Sequence, residues 1–287
     1  MNGLDLRPLS IGDILDRTFS LYRRHFLLFV GIAGIPQLLV LVFSLARTLF
    51  LWSPSERLGT PANIGAIGTG DVGTGILLSL AILIVSVLAY LYSQGGTMLA
   101  ISELYLGRST TIAESLRNIS DDLWYLLGVT ILSGLAIGGA FILLIVPGIY
   151  VACRLLVCVP AALIEKRSPR EALSRSFGLT KDFAGRAFVI LVLSVVLTYA
   201  AQLLLAIPFS VALASQVGGS GMTRYWLALT QVGSSIASIL VAPILLIATA
   251  VFYFDLRVRK EGFDLQFMMD PDAAQRVPRS SDIPSIL

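Results

Sequence analysis

The sequence predicts an all-α fold: a polytopic transmembrane helical bundle of six spans, built as three repeats of an interfacial amphipathic helix plus a transmembrane hairpin. Three observations predict it. The 287-residue chain is 56% hydrophobic and only 14% charged, whereas a soluble domain carries about 25% charged residues. Its charge-free stretches are long enough to span a bilayer. A helix-capping motif occurs three times, each time ahead of a pair of spans.

Residues 26–46, 72–102, 123–153, 187–223 and 225–254 contain no Asp, Glu, Lys or Arg. Each exceeds the roughly 20 residues needed to cross about 30 Å of hydrocarbon at about 1.5 Å per residue. The third run continues to Ile164 with Arg154 as its one charge. Proline followed by glycine marks a turn, so Val146-Pro147-Gly148 divides this run into two spans joined by a tight hairpin. The expected spans are about 26–50, 74–102, 123–146, 148–165, 187–214 and 226–254. Together they form a single membrane domain over 1–262. The segment 263–287 is expected to be a cytoplasmic tail with a disordered last part, because prolines and mixed charges there offer little apolar surface.

Parity fixes the sidedness. With six spans, 17 of the 21 Lys and Arg residues fall on one side. Short basic loops stay cytoplasmic, so both termini are expected inside a multi-pass protein of the cell membrane. Trp52, Trp124 and Trp226 lie at span ends, where indoles prefer the interface. The first apolar run begins only at Phe26 and is too long for a signal-peptide core.

The repeated motif reads [S/T]-x-x-[D/E]-x-L: Ser10 to Leu15, Thr111 to Leu116 and Ser168 to Leu173. It approximates a capping box, in which a hydroxyl takes the N3 amide and the acid reaches back to the N-cap amide. Asp13 is shorter than the usual Glu or Gln, so the first box is expected to be the weakest. Pro169 sits at N1, where its missing N–H costs nothing. Amphipathic helices are expected over about 10–24, 111–121 and 168–181. Their apolar faces carry Ile11, Ile14, Leu15, Thr18, Phe19 and Tyr22; then Ile112, Leu116 and Ile119; then Ala172, Leu173, Ser176 and Phe177. They either cover the inner ends of the bundle or form a basic collar that binds anionic lipid or a partner. Arg167, Arg170, Arg175, Lys181 and Arg186 make the third helix the best phosphate candidate.

Arg154 is the charge placed deepest in a span. A charge at depth costs at least about 2.5–3.5 kcal/mol, and no acid lies mid-span to neutralise it. Either it faces a polar cavity and holds a phosphate or carboxylate, or it snorkels outward or bonds carbonyls freed by Pro147 and Pro160. Gln37, Gln94, Gln202 and Gln231 are its polar candidates. Pro36, Pro160, Pro208 and Pro243 interrupt spans, a pattern found in transporters and in inert bundles alike. Gly134-x-x-x-Gly138 suits close helix packing, internal or between chains. Glu103, Glu165 and Asp255 end spans on the inner side and, with Arg257, form a candidate structural polar network.

Catalytic signatures are not visible. Gly68-Thr69-Gly70-Asp71-Val72-Gly73 matches G-x-G-x-x-G, but the βαβ unit that gives it meaning is not predicted; Ser53–Gly73 reads as a loop. Cys153 and Cys158, five apart on a helix, point in different directions and read as small buried hydrophobes. With His25 as the only histidine, neither a metal site nor a histidine-based relay is expected. No cofactor is expected. The net charge of +3, scattered between spans, argues against nucleic acid. Membrane lipids, another membrane protein or a second copy are the expected partners.

Four stretches carry a resemblance: Ile14 to Arg24, Arg154 to Glu165, Glu171 to Ser176 and Tyr253 to Arg257. They resemble a large bacterial family of uncharacterised membrane proteins, similar to the membrane domain found N-terminal to some glycerophosphodiester phosphodiesterases. The resemblance covers about residues 9–265. It implies a six-helix membrane domain and an association with lipid or glycerophosphodiester metabolism. Catalysis in the fused proteins resides in a soluble barrel for which this chain leaves no room, so no phosphodiesterase activity is expected to carry over. The leading expectation is a non-enzymatic accessory or scaffold protein. The alternative is a permease or lipid-handling transporter with an anion site at Arg154.

Overall fold

In the computed structural model, residues 9–50, 69–105, 108–214 and 223–261 are described, and they form ten helices and no strand. These are α1 (Ile11–Arg24), α2 (Phe26–Phe50), α3 (Thr69–Tyr105), α4 (Ile112–Asn118), α5 (Leu123–Leu143), α6 (Ile145–Leu155), α7 (Cys158–Glu165), α8 (Pro169–Leu179), α9 (Ala184–Ala214) and α10 (Thr223–Glu261). Six segments are long and apolar enough to span a membrane: α2, α3, α5, α6 with α7, α9 and α10. The short helices α1, α4 and α8 precede the three hairpins, so the protein is a polytopic helical bundle with the expected threefold pattern.

The caps differ from expectation in strength. The first box is the best made. Ser10 Oγ accepts the Asp13 N–H at 3.1 Å, and the Ser10 N–H donates to the Asp13 carboxylate at 2.9 Å. The short aspartate also keeps its carboxylate 2.8 Å from the Ser10 hydroxyl, which donates to it. In α4 only the hydroxyl half forms, from the Glu114 N–H to Thr111 Oγ1 at 3.3 Å. In α8 the Ser168 N–H reaches Glu171 at 3.4 Å.

The hairpin break is not at Pro147-Gly148. It falls at Leu144, whose φ of −168° and ψ of 155° are extended, so α5 ends at Leu143 and the fourth span begins at Ile145. A proline in the first turn of a helix forfeits no hydrogen bond. Pro147 therefore opens α6 three residues after the N-cap, and Pro160 opens α7 in the same way after Val157. The fourth span is thus jointed at Leu156–Val157. Pro36, Pro208 and Pro243 instead lie inside continuous helices. Two further boundaries move. The backbone of Thr69–Gly73, expected in a loop, is already helix in α3. The charged string Asp255–Glu261 forms the last two turns of α10.

The chain makes two compact units. The first comprises the described residues of Met1–Ala33, Leu91–Val196 and Ala242–Leu287. Its core joins Ile14 and Tyr22 of α1, Phe29 and Ile32 of α2, Leu91, Met98 and Ile101 of α3, and Phe252 and Tyr253 of α10. The seam of α1 is narrower than predicted: Ile14, Thr18 and Tyr22 are buried, while Phe19 is exposed. Gly95 permits tight packing in this core, because a Cβ there would overlap Ile119 and Leu126. The second unit, Gly34–Tyr90 with Leu197–Val241, is stitched by side-chain bonds. Gln231 Nε2 donates to Thr48 Oγ1 at 2.8 Å, and Gln202 Nε2 donates to Ser238 Oγ at 3.1 Å.

The outer surface is hydrocarbon. Ile142, Leu143, Leu204 and Trp124 are among its most exposed side chains, as lipid solvation allows. Trp124 stands at a span end as expected, Trp226 is half-buried, and Trp52 lies outside the described residues. Gly134, Gly138 and Gly139 have no atom within 4 Å of a Cβ built on them, so among the described residues this glycine stripe meets no close helix partner.

Candidate functional site

Charged side chains gather at the basic end of the first unit, where α7, α8 and α10 terminate or begin. The fold places them by two local devices. Lys166 follows α7 with φ 49° and ψ 43°, the one left-handed non-glycine among the described residues. That conformation costs roughly 1–2 kcal/mol for an L-residue, and it turns the chain sharply from α7 into α8. An ion pair from Lys166 to Asp122 holds the turn. The helical continuation of α10 then sets Asp255 and Arg259, and Arg257 and Glu261, one turn apart.

Glu165 is the first focus. Its carboxylate takes Arg175 Nε and Nη2 at 2.9–3.0 Å, Tyr253 Oη at 2.8 Å, and Arg167 Nε. Arg175 also pairs with Glu261, which in turn accepts Arg257 Nε at 3.1 Å. Burial alone would pull Arg175 down. The Glu165 and Glu261 carboxylates more than offset it, and they hold the guanidinium above the ordinary arginine range. Asp255 is the second focus, with a fully buried side chain. It accepts the Leu9 N–H at 2.7 Å and Arg259 Nε at 3.0–3.1 Å, and Arg186 lies 3.5 Å away. Arg186 Nη1 and Arg259 Nη2 both donate to the Leu9 carbonyl, at 3.0 and 2.6 Å. Leu9, just ahead of α1, is therefore clamped to the beginning of α9 and the end of α10.

The predicted network is brought together in part. Glu165 and Arg257 join through Arg175 and Glu261, Asp255 forms its own cluster, and Glu103 pairs with Arg108 at 3.5 Å. Tyr253, Arg259, Glu261 and Leu9 were not foreseen. The spacing of Asp255-x-x-x-Arg259 and Arg257-x-x-x-Glu261 was a usable signal, since such pairs face each other only on a helix.

Among the predicted phosphate contacts, Arg167, Arg175 and Arg186 are engaged by carboxylates. Arg170 and Lys181 are exposed, and among the described residues neither is held in an ion pair. Arg170 rims a groove of about 430 Å³ whose floor is Gly128, Ile131, Leu132 and Pro169.

No family model, curated protein or solved structure matches the chain. The chemistry therefore has to be read from this site alone.

Arg154 is neither snorkelled nor bound to the suggested glutamines. It is 8% exposed, and its Nε and Nη1 are shielded without an acceptor. Its guanidinium carbon lies 5.8 Å from the Tyr150 ring centre and 5.2 Å from that of Phe177. The backbone carbonyl of the same residue accepts Ser176 Oγ at 2.8 Å and Thr180 Oγ1 at 3.1 Å. Arg154 thus stands about 15 Å from the Leu144 break at 1.5 Å per residue, against α8 and close to the basic end. Two cation–π contacts supply about 0.5–2 kcal/mol each. Removing a charged group from water costs several kcal/mol, so the rings alone do not balance it. Cys153 and Cys158 are free and buried. Among the described residues, no three His, Cys, Asp or Glu side chains cluster as metal ligands do.

Proposed function

We propose that the chain is a non-enzymatic integral membrane protein, an accessory or scaffold protein that engages anionic lipid or a membrane partner through its basic end. The observation that carries this reading is the sorting of cations from the end of α7, through α8, to the start of α9. Carboxylates neutralise Arg167, Arg175 and Arg186, while Arg170 and Lys181 are exposed and Arg170 rims an apolar groove. Exposed cations at a membrane surface attract anionic headgroups by about 1 kcal/mol each, and an apolar groove under a cation suits a lipid's acyl chain. The resemblance to the membrane domain of glycerophosphodiester phosphodiesterases points to lipid as well. In this reading the protein resides in the cell membrane with both termini and the three amphipathic helices on the cytoplasmic side, supported by the positive-inside distribution of its basic residues.

The test is lipid retention by purified protein. In native mass spectrometry with phosphatidylglycerol and phosphatidylcholine, the wild type is expected to prefer the anionic lipid, and Arg170→Glu with Lys181→Glu is expected to abolish the preference. An unchanged preference would sink the proposal. Labelling of Lys181→Cys by a membrane-impermeant maleimide checks the orientation: reaction in intact cells would reverse it.

A further inference from the structure

The proposal that α8 engages anionic lipid leaves open what fixes a lipid in place, and Arg154 answers it. Arg154 brings five N–H donors in a rigid fork to the junction of α6 and α8. Nε and Nη1 meet no acceptor, and among the described residues no carboxylate pairs with the group. The acids at the basic end are committed elsewhere: Glu165 to Arg167, Arg175 and Tyr253, and Asp255 to Leu9, Arg186 and Arg259. Ser176 and Thr180 spend their hydroxyls on the Arg154 carbonyl, which fastens α8 to α6 and fixes the backbone from which the guanidinium projects. Tyr150 and Phe177 cover the guanidinium, and Tyr150 is 53% exposed, so it is the covering ring that stands at the protein surface. A fork-shaped cation between aromatic rings is suited to a bidentate oxyanion. Because it lies against α8, the lipid-engaging reading above makes a phospholipid phosphate the oxyanion to test.

We infer that Arg154 is the receptor for the phosphate oxyanion of an anionic phospholipid, bound one per protein in the slot between Tyr150 and Phe177. This inference rests on the lipid-engaging reading above and adds to it a single, buried site. Exposed cations hold lipid loosely and lose it in salt, because charges in water are screened over about 10 Å at 0.1 M. A desolvated fork–phosphate pair is screened far less.

Native mass spectrometry in phosphatidylglycerol-containing micelles, at low salt and at about 0.5 M salt, separates the two. The wild type is expected to keep one lipid at high salt. Arg154→Met is expected to lose that lipid while keeping the salt-sensitive ones, and Arg170→Glu with Lys181→Glu is expected to do the reverse. Arg154→Lys keeps the charge without the fork and is expected to bind at least about tenfold more weakly. Thermal unfolding guards against a folding artefact. In lipid-free detergent Arg154→Met is expected to melt no lower than the wild type, since it removes an unpaired buried cation. Added phosphatidylglycerol is expected to raise the wild-type midpoint alone. If Arg154→Met or Arg154→Lys retains the high-salt lipid, the inference falls while the surface reading stands; if neither pair of variants changes retention, both fall. If millimolar inorganic phosphate displaces the lipid and stabilises the wild type equally, the site takes a free oxyanion and the lipid assignment is overturned.

Discussion

Replacing Glu165 by alanine tests whether the basic end is held by its carboxylate. The carboxylate is 10% exposed and serves three donors. Arg167 is 44% exposed, so its pair contributes only about 0–1 kcal/mol. Arg175 is 23% exposed and keeps Glu261 after the substitution. Losing one charged hydrogen-bond partner there costs about 1.5–3 kcal/mol. Tyr253 is fully buried, and its hydroxyl would lose its acceptor, at about 1–3 kcal/mol. Glu165→Ala is therefore expected to destabilise by about 4 kcal/mol. Glu165→Gln, which still offers an amide oxygen to Tyr253, is expected to cost about half as much. The assay is thermal unfolding in detergent micelles at one scan rate, for these variants, for Tyr253→Phe and for Glu165→Ala with Tyr253→Phe. In the double variant the orphaned hydroxyl is gone, so its loss should fall short of the summed single losses by about 1 kcal/mol or more. Glu114 is exposed in the first turn of α4. A Glu165→Ala shift no larger than that of Glu114→Ala, or strict additivity with Tyr253→Phe, would refute the reasoning.

Three further substitutions probe the clamp and the packing. Asp255→Asn removes the charge that faces Arg186 and Arg259 while leaving an acceptor for the Leu9 N–H, and it should cost about 2–4 kcal/mol; hydrogen exchange at Leu9 to Ile14 is expected to accelerate, and unchanged protection there would mean the clamp is not electrostatic. Gly95→Ala must displace the fully buried Ile119 and Leu126 and should cost about 1–3 kcal/mol, whereas Gly134→Ala meets open space and should be neutral or stabilising by up to about 1 kcal/mol. Equal melting shifts for the two would contradict the packing described for α3 and α4.

Sequence alone determined what depends on neighbours along the chain. Hydrocarbon length, charge-free runs and capping hydroxyls are local, and they yielded six apolar spans and three short capped helices, with helix ends that differ by up to seven residues. The errors were local too. Pro147 was read as a turn residue and Pro160 as an interruption within a span, whereas each sits in a first helical turn, where a missing N–H is harmless and the break moves to the N-cap. Tertiary structure decided which charges are spoken for. Glu165 meets Tyr253 across 88 positions of chain, and Asp255 meets the Leu9 amide across 246. Such partnerships depend on how helices pack, because a side chain's charge is written in the sequence but its desolvation and its counter-ion are not. For that reason the five collar cations looked alike in the sequence, and only packing separated three paired ones from two exposed ones and left Arg154 buried with its Nε and Nη1 unmatched.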